Sequence, residues 1–150
     1  MNRRRIAARW IGCPRRYART AHTNGSLPAV RGDADALRSA VQNIVGNAVK
    51  YSSAGTTVDV GTEMSGSTVR IRVVDRGLGI DADDLPHVFK PFHRGRRAVE
   101  AQIRGAGIGL SVVRHVIDAH HGEVRIDSRP GQGTTVIVEL PVSEVSDTGV

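Results

Sequence analysis

Two segments of the chain repeat their apolar residues at helical spacing, and each does so along one face only. In residues 34–51 the stripe is Leu37, Val41, Ile44, Val45 and Ala48; in a helix expected from about Ile108 to His120 it is Leu110, Val113, Val116 and Ile117. A helix with one apolar face needs a second layer to cover it. Four period-2 stretches supply that layer. "TTVDVGTE" and "STVRIRVVD" alternate around the turn "MSGS", placing Val69, Ile71 and Val73 on one face, and "EVRIDSR" and "GTTVIVELP" alternate around "PGQG". Two hairpins and two one-faced helices predict an α+β two-layer sandwich, a mostly antiparallel sheet covered on one face by helices. Asp33 is the expected N-cap of the first helix, "AVRG" a short strand leading to it, and His121-Gly122 the stop of the second helix.

With 150 residues the chain suits one domain, and with 3% aromatics its core must be built from Val, Ile, Leu and Ala. A single cysteine, Cys13, excludes an internal disulfide and a cysteine metal site. No run approaches the roughly 18 apolar residues of a membrane span, and "IAARWIG" is broken by Arg9 and too short for a signal-peptide core; a cytoplasmic location is expected. The net charge of +6 is confined to one end. Residues 1–19 hold seven arginines and no acid, leaving 14 basic and 15 acidic side chains elsewhere. No direct nucleic-acid binding is therefore expected. The composition divides the chain into a basic arm without structure (1–26), a domain (27–142) and a tail (143–150).

Four short constellations carry candidate chemistry. In "NIVGNAVKYS" a helix pitch of about 100° per residue aligns Asn43, Asn47 and Lys50 with Tyr51 at the edge. Such a row suits a solvated face, or it supplies an oxygen for a hard cation, a phosphate contact and a flat ring for a base. In "DRGLGI" Asp75 emerges where a strand ends, and Gly77 and Gly79 permit close backbone approach. "GAGIGL", residues 105–110, runs into a helix whose N-terminus can hold an anion; no strand precedes it, which excludes the dinucleotide fingerprint, and the P-loop signature is absent. In "GQGTTVIVELP" Thr134 opens the last strand. Each alone also suits a turn or a hinge.

In this order and spacing the four resemble the ATP-binding catalytic domain of bacterial sensor histidine kinases, in the superfamily that also holds DNA gyrase, the ninety-kilodalton heat-shock chaperones and the mismatch-repair MutL proteins. "NIVGNAVKYS" resembles the N box, "DRGLGI" the first glycine box, "HVFKPFHRG" the F box, "GAGIGLSVVRHVI" the second glycine box and "GQGTTVIVELP" the closing hairpin, over roughly residues 27–142. The resemblance implies a Bergerat-type fold that binds ATP with Mg²⁺. It implies that Asn47 coordinates the metal, Lys50 contacts phosphate, Tyr51 packs on adenine and Asp75 takes the adenine amino group with support from Thr134. Gly77, Gly79 and Ile80 would shape the base pocket, and Gly105, Gly107, Gly109 and Leu110 would hold the phosphates. Residues 81–106 would form a lid pinned by Phe89 and Phe92, from which Arg94 reaches the γ-phosphate.

The departures narrow the expectation. Hydrolysing relatives and anti-sigma serine kinases place a glutamate four residues before the metal asparagine. Asn43 stands there instead, which favours transfer to an already nucleophilic histidine. The usual first strand is hard to find in "RRYARTAHTNG", and Ala106 replaces a hydroxyl residue of the second glycine box. None of the six histidines (22, 87, 93, 115, 120 and 121) lies in a phospho-acceptor motif, and His115 and His120 read as helix-surface residues. The expectation is a stand-alone catalytic module, monomeric by itself. It would phosphorylate in trans a histidine on a separate dimerisation-domain protein and, through it, a response regulator. A non-catalytic nucleotide-binding module, or the remnant of a split kinase gene, is the alternative; a serine kinase is disfavoured by Asn43.

Overall fold

The computed structural model describes residues 18–23, 29–53, 55–100 and 109–142. Helix α1 spans Ala34–Tyr51 and starts where the sequence predicts, because Asp33 caps it: its carboxylate accepts from the backbone N–H of Asp35 (3.0 Å) and of Ala36 (3.1 Å). Ala40, Ile44 and Ala48, four residues apart, are its buried ridge. Helix α3 (Gly109–Ala119) buries Val113 and Ile117 against that ridge. It ends in a Schellman arrangement. Gly122 N–H reaches back to Ile117 O and His121 N–H to Asp118 O, both at 3.0 Å, with His121 itself in the left-handed region at φ 58.

Five strands form one sheet in the order β1-β2-β3-β5-β4, with β1 Ala18–Thr23, β2 Thr57–Ser65, β3 Thr68–Asp75, β4 Glu123–Arg129 and β5 Gly133–Pro141. The hairpins β2–β3 and β4–β5 are those the alternation predicts, and β3 and β5 pair antiparallel to join them. Val58, Val73, Val136 and Val138 on the inner face pack on Ile44 and Ile117. Both isoleucines are fully buried, each worth about 1.5–3 kcal/mol of apolar burial. On the other face Arg70 joins Glu139 (Nε–Oε1 2.9 Å) and Glu63, and Arg125 also approaches Glu139 at 3.5 Å. The fold is thus the two-layer α+β sandwich, with the helices on one face of the sheet.

Three expectations change. Within the segment whose composition predicts an unstructured arm, residues 18–23 form β1, a sheet edge pairing parallel with β2 from Ala18↔Thr57 to Thr23↔Thr62. A parallel edge strand is held by backbone hydrogen bonds and has no hairpin turn or apolar alternation to reveal it. Residues 29–32, "AVRG", are irregular and not a strand. His120 is not a mere surface residue. Its Nε2 accepts from Asp33 N–H at 2.9 Å, so Nδ1 carries the proton and donates to Val116 O at 2.7 Å. The imidazole thereby ties the N-cap of α1 to the end of α3, and a Cβ on Gly32 would sit 2.1 Å from its ring. We expect His120→Ala to lower stability by about 1–3 kcal/mol, two net hydrogen bonds. A urea midpoint equal to wild type would show that the bridge contributes nothing.

Candidate functional site

A cavity of about 220 Å³ opens between the C-terminal half of α1, the exit of β3, the start of α3 and the inner face of the β4–β5 hairpin. Ile44, Ala48, Ile126 and Val136 make an apolar floor continuous with the core. From α1, Asn47, Lys50 and Tyr51 reach the wall, with Lys50 Nζ 5.5 Å from the centroid of the Tyr51 ring. Asn43, one turn earlier, is half-buried and does not line the cavity.

Asp75 is the last residue of β3 and stands opposite Thr134 on β5. Only 7% exposed, it has no ion-pair partner among the described residues. Burial raises its pKa above the ordinary value, while the backbone N–H groups of Gly77 and Thr134 act the other way; the Gly77 bond is 2.9 Å. A buried carboxylate that lines a cavity and pairs with none of the cations on its wall is an acceptor prepared for a donor from a ligand.

The two glycines after it act through close backbone approach. A Cβ on Gly77 would lie 1.9 Å from Tyr51 O, where the loop bridges the end of α1 through Ser52↔Gly77 and Leu78 N–H→Tyr51 O (3.2 Å). Gly77 is therefore a buttress behind the cavity and not part of its lining. Gly79, at φ 68, lines the cavity, and a Cβ there would meet Arg129 O at 1.9 Å. Ile80 also lines it and donates its N–H to Ser128 Oγ at 2.8 Å. Ser128, whose Oγ is also 2.8 Å from Thr134 Oγ1, stands behind the lining and holds two residues of it, a role that the sequence reading missed. A serine in an alternating strand gives no signal of its own.

Gly109 and Leu110 bring the start of α3 to the cavity; a Cβ on Gly109 would lie 3.8 Å from Asn47 Nδ2. The first turn of α3 holds no acid, so the positive end of its helix dipole meets no negative charge of its own on the Asn47 side. Gly105 and Gly107 lie outside the described residues.

Over the cavity folds the segment carrying a 3₁₀ turn (Leu85–His87) and α2 (Arg96–Glu100). Asp81 pairs with Arg97 (Oδ1–Nε 2.8 Å), and Asp84 accepts from Arg96 N–H at 2.9 Å with His93 Nε2 3.6 Å from its other oxygen. Arg94 and Arg97 reach the wall. Of the two phenylalanines expected to pin this segment, only Phe89 does, packed on the core with the Arg114 guanidinium 4.9 Å from its ring centroid. Phe92 is 75% exposed at φ 63. It is not among the residues packed on the core.

A buried acceptor, a helix N-terminus and cations share one cavity, with residues drawn from all four motifs. The model of the histidine kinase-, DNA gyrase B- and HSP90-like ATPases matches residues 32–144. The chain belongs to that family. It is 40% identical over 112 residues to the sensor-like histidine kinase SenX3 of Mycobacterium tuberculosis, covering 75% of this chain and 27% of SenX3. To the histidine protein kinase DivJ of Caulobacter vibrioides it is 42% identical over 113 residues, covering 75% of this chain and 19% of DivJ. The chain thus spans about a quarter or less of the length of these relatives. Among solved structures, the mycobacterial sensor histidine kinase MprB superposes with TM-score 0.68 at 28% identity, covering 85% of this chain and 81% of that one. Full-length ShkA in complex with AMPPNP gives 0.70 at 29%, covering 85% and 26%. Among the described residues no helix is long and apolar enough to cross a membrane.

Those residues also hold no group of three His, Cys, Asp or Glu side chains able to bind a metal. A cavity of this kind could share a cation with a bound polyanion, which would supply the remaining oxygens. The donor set fits Mg²⁺, which takes few protein oxygens and otherwise phosphates and water, with Asn47 supplying the amide oxygen.

Proposed function

We propose that this chain binds ATP with Mg²⁺ and donates the γ-phosphate in trans to a histidine on a separate dimerisation-domain protein, which passes it to a response regulator. The observation that carries the reading is the polarity of the cavity. At one end is a buried, acceptor-only Asp75; at the other are Asn47, Lys50, Arg94 and the start of α3. That matches a molecule with an amino-bearing base at one end and an anion at the other. Asp75 accepts from the adenine 6-amino group, Tyr51 lies against the base, and Lys50, Arg94 and the α3 N–H groups take the phosphates. Mg²⁺, held by Asn47, would supply charge neutralisation on the phosphates.

In the transfer the partner's imidazole nitrogen forms a bond to the γ-phosphorus as its bond to the β,γ-bridging oxygen breaks, releasing ADP. The residues position and neutralise charge, since phosphoryl transfer asks for little covalent help. An imidazole lone pair needs no deprotonation to attack. That agrees with an amide in place of a carboxylate base at Asn43, one turn from the cavity wall.

The test is incubation of the chain with γ-labelled ATP and candidate dimerisation-domain proteins. An acid-labile, alkali-stable phosphohistidine on the partner is expected, with the chain alone unlabelled. Arg94→Ala should reduce transfer by about 10–150-fold, one charge-assisted hydrogen bond in the transition state, and ATP affinity much less. ATP binding without transfer to any partner would instead establish a nucleotide-binding interaction module. Efficient self-phosphorylation would overturn transfer in trans.

A further inference from the structure

We infer that Ser128 is a specificity-determining residue: it fixes the proton of the Thr134 hydroxyl so that this cavity wall presents only acceptors to a purine, selecting a 6-amino over a 6-oxo base. The inference rests on reading the cavity as an ATP site.

Ser128 Oγ has three neighbours and must satisfy all with one proton and two lone pairs. Ile80 N–H donates to it at 2.8 Å, using one lone pair. Gly133 O, an acceptor at 3.0 Å, takes the proton. Thr134 Oγ1 at 2.8 Å must then be the donor into the remaining lone pair. The Thr134 proton therefore points at Ser128, leaving oxygen lone pairs for the cavity that Thr134 lines. Directly across the strand pair stands Asp75, also an acceptor when ionised. A 6-amino group satisfies such a wall; a 6-oxo group meets only like lone pairs, which is how a buried polar site discriminates.

Removing the serine oxygen frees the threonine proton to rotate into the cavity and donate to a 6-oxo group. Ser128→Ala is therefore expected to lower the ATP:GTP affinity ratio roughly fivefold, the worth of one neutral hydrogen bond, and the ATP:ITP ratio in parallel, since inosine carries the 6-oxo group without the 2-amino group. Ser128→Thr, which restores a hydroxyl, should recover the wild-type ratio. Ser128→Ala combined with Thr134→Val should erase the gain for GTP, because the freed hydroxyl is gone.

Titration of the folded variants with labelled ATP, GTP and ITP decides the matter. If Ser128 merely holds the hairpin together, Ser128→Ala weakens all three nucleotides equally and the unchanged ratio overturns the inference. Should that variant fail to fold, Ser128→Cys serves, since a thiol is a poor acceptor: a lowered ratio supports the assignment and an unchanged one overturns it. Wild type that prefers ATP beside an unaltered variant removes the inference alone, whereas wild type that binds none of the three removes the ATP reading and the inference with it.

Discussion

Asp75→Asn is expected to weaken ATP binding by tenfold or more while the chain still folds. The carboxylate accepts from Gly77 N–H and keeps an acceptor for the cavity; the amide would turn one oxygen into a donor, opposed to the amino group of the adenine proposed to bind there. Losing a charge-assisted hydrogen bond costs about 1.5–3 kcal/mol, and opposing two donors adds to it. The same residue sets a pH dependence in the empty protein. Burial raises the folded pKa above the ordinary 3.8, so between that value and the raised pKa the native state holds a proton that the unfolded chain has released. Stability then falls as pH rises through this window and levels off above the folded pKa. Wild type should therefore lose stability relative to Asp75→Asn as pH climbs from 3.8, in urea titrations without nucleotide. A difference that stays flat from pH 3.8 upward would mean that Asp75 ionises as freely in the native state as in the unfolded chain.

The elements that could be read from sequence are those whose signal is local. Asp33 caps within three residues, and the stripe of α1 announces Ile44 and Ala48 by spacing, though Leu37, Val41 and Val45 at its margins are half-buried and Ala40, which the stripe omitted, is fully buried. The hairpins declare themselves because each strand has its partner a short turn away. What escaped depends on distant neighbours. Strand β1 is specified by the free edge of β2, not by an apolar pattern in "ARTAHT". His120 meets its partner Asp33 from 87 residues away, and Ser128 meets Ile80 from 48. Helical pitch put Asn43 and Asn47 in one row, but a turn also advances about 5.4 Å along the axis. That rise leaves Asn43 off the wall that Asn47 reaches. The pairing of Phe89 and Phe92 failed because only Phe89 packs on the core, while Phe92 stands in the left-handed region, which no residue pattern announces, and is exposed.

Asn47→Ala is the substitution expected to separate metal dependence from folding. Alanine is the best helix former and asparagine is worse by about half a kcal/mol, so α1 should be held at least as well. Asn47 is half-buried on the cavity wall, outside the fully buried ridge, so no large apolar cavity is made. Chemically the loss is specific. The described residues hold no group of three acidic, imidazole or thiol ligands, and Asn47 on the cavity wall offers an amide oxygen to a cation among the phosphates. Removing it should cost Mg²⁺-dependent ATP affinity at least the ten- to hundred-fold, roughly, that loss of an outer-shell partner costs other metal sites. Binding measured in EDTA should change little, because Lys50, Arg94 and the start of α3 remain to meet the phosphates. The two titrations therefore converge in the variant and diverge in wild type. If both proteins show the same gap between Mg²⁺ and EDTA, the metal is held elsewhere and Asn47 is only a polar residue on the wall.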